Sequence, residues 1–327
     1  MRCTTKRSAL LGALLVYSCL VLACRPAATP ASGPDRHAAS TPAAMPNAAP
    51  TLDELGNAGF TGLREIEGTV RLADGRWEGA PYAPGAASRP TVTLGRDFRV
   101  TGDLDGDGRE EAVVVLAQGS GGSGSYNYLA VVRREGGALR NVATLALGDR
   151  VAIRSARIEA GTLHADVLRA GPGDAMCCPG ELSDLAWRIA PDGTVQALPE
   201  RATRRLTLDV LAGSEWTLVA WDAGEPTPDD PAITLAFRDG RVGGSAGCNR
   251  YFASPQPGPS PGELAIGPVG TTRMACPDAL AGSESRYLQQ LQAVRRFGFL
   301  LGRLALSYQH GDGAIGTMLF EERATPP

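Results

Sequence analysis

Short apolar stretches separated by glycine-containing turns run through most of this chain and constrain its fold more than any other feature. Pairs such as Asp74-Gly75, Ala160-Gly161 and Asp192-Gly193 interrupt the apolar stretches. Runs of about 4–8 residues bounded by such pairs are typical of antiparallel strands. We therefore predict a chain built mainly from hairpins, with little room for long helices.

The turns divide the predicted strands into two regions. Residues 51–200 form a β-rich region that begins with a short helix over 52–58, where Thr51 and Glu54 have the spacing of a capping box. Its strands are predicted at 68–72, 91–94, 112–116, 129–133, 142–147, 151–159, 162–168 and 185–189. Residues 205–323 form the second region, with strands at 216–221, 233–237, 241–245, 263–266, 271–274, 296–300, 303–308 and 317–321.

A single long helix is predicted over 277–294. Apolar residues, among them Tyr287 and Leu291, recur there at helical spacing, and Glu284 is the polar exception. A sheet covered by one such helix buries this pattern economically. The predicted fold class is therefore α+β, with a β-rich domain at 51–200 and an antiparallel sheet packed on one helix at 205–323.

The first 24 residues read as a targeting segment. Arg2, Lys6 and Arg7 precede an apolar run over 9–23, which is typical of a secretory signal. The end of the run, Val21-Leu22-Ala23-Cys24, resembles the lipobox of bacterial lipoproteins. That resemblance implies cleavage after residue 23, lipidation of Cys24 and, since Arg rather than Asp follows, an outer-membrane protein facing the periplasm. An ordinary secretory signal and an uncleaved anchor helix are the alternatives.

Composition adds two limits. Residues 24–50 are rich in Ala and Pro and predict a semi-extended tether. Lys6 is the only lysine, so a Walker-type phosphate loop and Schiff-base chemistry are excluded. Removal of residues 1–23 leaves 29 basic and 35 acidic side chains, a net charge of −6. This balance predicts no nucleic-acid partner.

An aspartate-rich segment precedes the apolar run at 112–116. Asp103, Asp105, Asp107 and Glu111 alternate with small or polar residues, and such carboxylates can converge on a hard cation. An EF-hand is excluded, because its twelfth position would be Val114. The segment resembles the loops of FG-GAP and integrin-type repeats, which implies weak calcium binding through these four side chains and the Arg109 carbonyl. An acidic turn that binds no metal is the alternative.

Four cysteines remain after the targeting segment and Cys24. In an oxidising compartment they predict two disulfides. Cys248 and Cys276 flank strands of the second region and are the natural partners. Cys177 and Cys178 are adjacent, and three alternatives stay open: a vicinal disulfide, free thiols or bridges elsewhere. Zinc is disfavoured, because no histidine lies near a cysteine.

Two motifs dominate the second region. Residues 243–251 read GGSAGCNRY and residues 271–277 read TTRMACP. With Trp216, Glu284 and Met318 in order, residues 208–322 resemble the META/HslJ family. The resemblance implies a small α+β domain of envelope or secreted proteins, with links to heat shock, drug tolerance or virulence and no established catalytic residues. Asn249, Arg273 and Glu284 are candidates for a ligand pocket or for a structural motif, in which Arg273 would pair with Glu284.

These observations favour a non-catalytic envelope lipoprotein that binds an envelope partner or maintains the envelope under stress. The segments 87–94, 101–108, 121–132 and 176–179 resemble a domain of bacterial envelope lipoproteins, and this resemblance implies no activity. A periplasmic hydrolase acting on cell-wall or extracellular substrate is the first alternative and would need His164 or His310. An inhibitor or scaffold that presents a loop at 255–262 is the second.

Overall fold

The computed structural model describes residues 48–175, 178–222, 224–227 and 230–323, and these belong to one compact unit. The predicted signal peptide, Cys24, nearly all of the tether and Cys177 lie outside the described residues. Among the described residues, no helix has the length and apolar character needed to cross a membrane.

The N-terminal half is almost entirely β-structure after one short helix. Thr51 caps this helix, and both hydrogen bonds of the predicted capping box form. The elements are α1 (Leu52–Leu55), β1 (Gly59–Phe60), β2 (Val70–Arg71), β3 (Arg76–Glu78), β4 (Thr91–Gly102), β5 (Glu111–Gly119), β6 (Ser125–Glu135), β7 (Ala138–Asp149), β8 (Ala152–Glu159), β9 (Thr162–Arg169), β10 (Glu181–Ile189), β11 (Val195–Ala197) and β12 (Arg201–Arg205).

The C-terminal half begins with a 3₁₀ helix and contains one long α-helix. Its elements are the 3₁₀ helix (Leu208–Leu211), β13 (Glu215–Trp221), β14 (Glu225–Pro226), β15 (Thr234–Arg238), β16 (Arg241–Ser245), β17 (Arg250–Ala253), β18 (Pro255–Pro257), β19 (Leu264–Ile266), β20 (Gly270–Thr271), α2 (Asp278–Gln292), β21 (Val294–Leu300), β22 (Arg303–Gln309) and β23 (Ile315–Glu322).

The strands pair antiparallel throughout the described residues. One sheet has the order β3-β4-β5-β6-β7, and a second has the order β11-β10-β9-β8 with β12 also on β10. The third and largest sheet has the order β20-β17-β16-β15-β13-β23-β22-β21 with β14 on β13. Two small pairs, β1-β2 and β18-β19, complete the fold.

Strand β5 separates two hydrophobic cores. Val114 and Leu116 face a core closed by α1, β1 and β2, whereas Val113 and Val115 face a core shared with β8, β9 and β10. A strand buried on both faces needs a continuous apolar run rather than an alternating one. This explains the unbroken apolar sequence that follows the acidic segment.

The third core lies between α2 and the largest sheet. Tyr287 and Leu291 of α2 are fully buried against residues of the sheet such as Leu235 and Phe237. Leu168 of the preceding sheet belongs to the same core. The helix therefore covers one face of the sheet, as its spacing of apolar residues predicts.

The predicted α+β class is confirmed, and most predicted strands are present but longer. The structure adds short strands that carry little apolar signal, such as β3 and β11, and it adds β17. Residues 255–262, predicted as a loop, contain β18, which pairs with β19. The predicted division at residues 200–205 stays a prediction. Described residues on both sides of it contribute to one core.

Candidate functional site

The Asp-rich segment forms the hairpin loop between β4 and β5, whose ends pair through Gly102 and Glu111. Asp103 closes the loop: its Oδ1 accepts a hydrogen bond from the Gly106 N–H at 2.7 Å and its Oδ2 one from the Gly108 N–H at 3.0 Å. Both donor glycines have positive φ, 82° and 80°, which residues with a Cβ rarely adopt. The glycines thus permit the turn that gathers the acidic side chains.

Three of the predicted metal ligands converge in this loop. One carboxylate oxygen each of Asp103, Asp105 and Glu111 lies within 4.8 Å of the other two. Glu111 is 1% exposed, and its Oε2 accepts a hydrogen bond from the Leu104 N–H at 2.8 Å. Its buried Oε1 has no hydrogen-bond partner among the described residues. Burial raises the pKa of Glu111, and the neighbouring carboxylates raise it further.

Asp107 is not part of this group of three carboxylates, and the role of the Arg109 carbonyl stays a prediction. Asp107 Oδ1 accepts a hydrogen bond from the Arg109 N–H at 2.8 Å, and Oδ2 accepts one from Arg109 Nε at 2.9 Å. The hydrogen bonds from Arg109 lower the pKa of Asp107. The expectation that Asp107 shares a ligand set with the other carboxylates does not match this structure, because a local ion pair takes up its side chain.

Arg133 supplies a positive charge at the edge of the cluster. Its Nη1 lies 2.8 Å from Asp105 Oδ2, and its guanidinium also contacts Glu135. The cluster thus contains three carboxylates and one guanidinium, so negative charge is in excess. Oxygen donors are the ligands that hard cations prefer, and a buried acceptor without a donor is rare in native structures. The residues present fit a calcium ion.

The motif residues of the C-terminal half form a second polar cluster around Asn249, which is 5% exposed. Its Oδ1 accepts hydrogen bonds from the Met274 N–H and the Thr272 hydroxyl, both at 2.8 Å. Its Nδ2 donates to Glu284 Oε1 at 3.0 Å, and its backbone N–H donates to Glu284 Oε2 at 2.7 Å. The side chain of Asn249 thus joins the segment after β20 to helix α2.

A disulfide reinforces the same junction. The sulfurs of Cys248 and Cys276 are bonded, with Cα atoms 6.1 Å apart. Asn249 Nδ2 lies 3.2 Å from Cys276 Sγ. Although both sulfurs lie close to Glu284, thiolates rather than disulfides bind metals. We therefore assign this cluster a structural role.

Arg273 does not pair with Glu284 in this structure. It is exposed, and no ion pair of Arg273 forms among the described residues. Asn249 occupies both oxygens of the Glu284 carboxylate instead. The predicted brace between Arg273 and Glu284 is therefore wrong, because the buried amide satisfies the carboxylate.

Two tyrosines connect α2 to the sheet beside this cluster. The hydroxyls of Tyr251 and Tyr287 are 2.6 Å apart, and the Tyr251 hydroxyl donates to the Thr234 carbonyl at 2.9 Å. Burial raises the pKa of both phenols. They stay neutral at physiological pH and serve packing, as predicted for Tyr287.

The two histidines of the described residues lie in different sheets. His164 is half-buried in β9, and His310 lies in the turn between β22 and β23, where its ring contacts Tyr308 at 4.9 Å between centroids. Neither imidazole has a hydrogen bond to a carboxylate or hydroxyl within the part of the chain that the structure describes. A hydrolase with a Ser-His-Asp triad uses such a pair to activate its nucleophile.

The remaining cysteine pair is described only in part. Cys178 is half-buried in the segment between β9 and β10, whereas Cys177 lies outside the described residues. The three alternatives for this pair therefore stay predictions.

A groove that the sequence motifs do not reveal lies on the face of the largest sheet opposite α2. It has a volume of about 720 Å³ and is lined by residues of β13, β15, β16 and β17 together with Thr272 and Arg323. Ala236 and Gly243, which pair across β15 and β16, form its floor. Its charged residues are Glu215, Arg238, Arg241, Arg250 and Arg323. Arginines at outward-facing positions of adjacent strands are the signal that would have predicted it.

Comparison with known proteins identifies the C-terminal half. Residues 209–320 match the family model of the META domain. The NMR structure of a protein from Burkholderia xenovorans is 26% identical, over 36% of this chain and 86% of that chain, with a TM-score of 0.29. No curated protein matches the chain. The family-model match confirms the predicted resemblance for this part: residues 209–320 are consistent with a META domain.

Proposed function

We propose that this protein is a non-catalytic lipoprotein of the bacterial envelope, anchored in the outer membrane through Cys24 and facing the periplasm. Its META domain would bind an envelope partner and help maintain the envelope under stress. The sequence of the first 24 residues supports the location, because a basic start, an apolar run and a cysteine follow one another there.

The Asn249 cluster is the observation that carries the non-catalytic assignment. The polar atoms of Asn249 and the carboxylate of Glu284 make their hydrogen bonds with each other and with the surrounding backbone. Groups that act on a substrate must instead point into a cavity where the substrate can reach them. The most distinctive polar residues of the domain thus stabilise the fold, and its exposed surfaces are left for binding.

Incorporation of labelled palmitate into the full chain, expressed in a Gram-negative host, tests the lipid anchor. The wild-type protein should incorporate labelled palmitate and lose residues 1–23, whereas Cys24→Ala should do neither, because the thioether-forming sulfur is gone. Cys19→Ala is the matched control: it removes a cysteine from the same segment and should leave both events intact. Label in Cys24→Ala, or none in the wild type, would contradict the lipoprotein assignment.

We also propose that the loop between β4 and β5 binds calcium. Asp103, Asp105 and Glu111 would hold the ion. Their convergence supports the assignment, as does Glu111 Oε1, which has no hydrogen-bond partner in the described part of the chain. The ion would neutralise carboxylates that otherwise repel one another, so it would brace the loop rather than catalyse a reaction. We expect the millimolar affinity of extracellular sites.

Thermal unfolding of the protein with calcium and with chelator tests this site. At ten times a millimolar Kd, binding contributes about 1.4 kcal/mol, which should raise Tm by about 3–5 °C. Glu111→Gln should abolish the increase, while Glu110→Gln, which changes the exposed neighbouring residue, should preserve it. Equal Tm values for the wild type in calcium and in chelator would refute the proposal.

A further inference from the structure

The charge of the groove on the META sheet is not balanced within the fold. Arg238 forms an ion pair with Glu215, but Arg241, Arg250 and Arg323 form none among the described residues. Four guanidinium groups and one carboxylate leave the groove with a net charge of +3. By contrast, Arg303 of the same sheet pairs with both Asp97 and Glu321.

The register of the strands brings two of these arginines directly opposite each other. Arg238 and Arg241 are cross-strand partners at the end of the β15–β16 hairpin. Like charges in that position are destabilising, and Glu215 compensates only Arg238. A bound oxyanion would relieve the repulsion, because the planar guanidinium donates two parallel hydrogen bonds to phosphate or carboxylate.

The shape of the groove suits a small headgroup. Ala236 and Gly243 leave space at the bottom of the groove, since neither has a side chain beyond Cβ. Its volume of about 720 Å³ lies within the usual range for ligand pockets. Arg241, Arg250 and Arg323 line the same concavity, so a single anion can be contacted from several sides.

The exposed aromatic ring of Phe252 favours an anion carried by a lipid over a soluble anion. Phe252 lines the groove, is 60% exposed, and pairs across strands with Gly243. Its ring covers Gly270, where an added Cβ would lie 2.5 Å from the ring, so the ring has a defined place on the surface. Met274, in the segment after β20, is 61% exposed. Exposed apolar residues beside arginines are typical of surfaces that contact a membrane interface.

We propose that this groove binds the phosphate of an anionic lipid headgroup at the membrane surface. The arginines would contact the phosphate, and Phe252 would enter the interfacial layer. The inference deepens the proposed function, on which it rests, because a lipid anchor would keep the domain beside a membrane. A tether of about 25 residues in extended form would reach about 80 Å, enough for the groove to face the bilayer.

Sedimentation with lipid vesicles tests the proposal on the chain from residue 25 to 327, which lacks Cys24 and keeps the whole described unit with its three cores. This chain should bind vesicles that contain phosphatidylglycerol and should not bind vesicles of phosphatidylcholine alone. Arg241→Gln/Arg250→Gln should weaken binding about 30-fold, as expected for two arginines at an anionic surface. Arg140→Gln/Arg157→Gln removes the same charge from exposed positions outside the groove and should bind like the wild type.

Two further measurements distinguish lipid phosphate from inorganic phosphate, and a loss of binding from a loss of stability. Phe252→Ser should weaken vesicle binding while Tm stays unchanged. Inorganic phosphate should bind the groove only weakly and should compete poorly with vesicles. Equal binding by the groove variant and the charge-matched control would overturn the proposal, as would binding of inorganic phosphate without binding of vesicles. Since this chain carries no lipid, a negative result here is distinct from failure of Cys24 to be acylated.

Discussion

At the scale of single residues, Glu54 shows how a local motif becomes part of the tertiary structure. Its carboxylate accepts hydrogen bonds from the N–H and hydroxyl of Thr51, as the spacing of the two residues predicts. Arg134 of β6 donates to the same carboxylate at 2.9 Å. The hydrogen bond from Arg134 lowers the pKa of Glu54 from 4.5 to about 2. The sequence predicts the cap but not the arginine.

Because folding lowers the pKa of Glu54, its contribution to stability is present above pH 4.5 and is lost as the pH falls to about 2. Glu54→Gln should therefore reduce the free energy of unfolding by about 1 kcal/mol near neutral pH, after allowance for the partial exposure of the pair. The difference from the wild type should vanish in acid. Urea titrations across this range measure it, with the exposed Glu67→Gln as control. A difference independent of pH would argue against the ion pair.

Asn249 shows the opposite relation between sequence and structure. Its side-chain oxygen accepts a hydrogen bond from the Met274 N–H, which is 25 residues away in the sequence. Its partner Glu284 is 35 residues away, which no local pattern reveals. Arg273 is nearer to Glu284 in the sequence, yet it is exposed and forms no ion pair among the described residues.

At the scale of elements, helix α2 is the best predicted part of the chain, because a long amphipathic pattern has few alternatives. Its start depends on tertiary contacts: no side chain caps it, and the disulfide at Cys276 precedes its first turn. The segment between β20 and α2 has no regular structure of its own. We infer that the disulfide and the Asn249 cluster together hold this segment against the sheet.

Removal of the disulfide tests this inference. The bond closes a loop between residues 28 positions apart, so Cys248→Ser/Cys276→Ser should lower the free energy of unfolding by about 3–4 kcal/mol in the chain-entropy model. Denaturant titration without reductant measures the loss. Met274→Ala, at an exposed position of the same segment, should cost little by comparison. Similar stabilities of the double variant and the wild type would show that the bond does not constrain this segment.

At the scale of the whole molecule, the two predicted regions are linked by buried and polar contacts. Leu168 lies in the core that α2 covers. Arg303 of β22 pairs with Asp97 of β4 at 3.0 Å, and the Arg154 guanidinium lies 5.4 Å from the centre of the Phe299 ring. A boundary drawn from turns and composition cannot anticipate such contacts, because each joins residues that are far apart in sequence.

The sequence by itself determined the strands with strong apolar runs, the helix over most of 278–292, the acidic hairpin loop and the presence of a META domain. These depend on local backbone preferences, periodicity and short motifs. The tertiary structure alone decided that Arg133 pairs with Asp105, that Glu284 binds Asn249, and that arginines of three strands and the segment after β23 meet in one groove. The reason is physical: strand register and side-chain partners are selected by packing between distant segments, and that selection leaves no local trace in the chain.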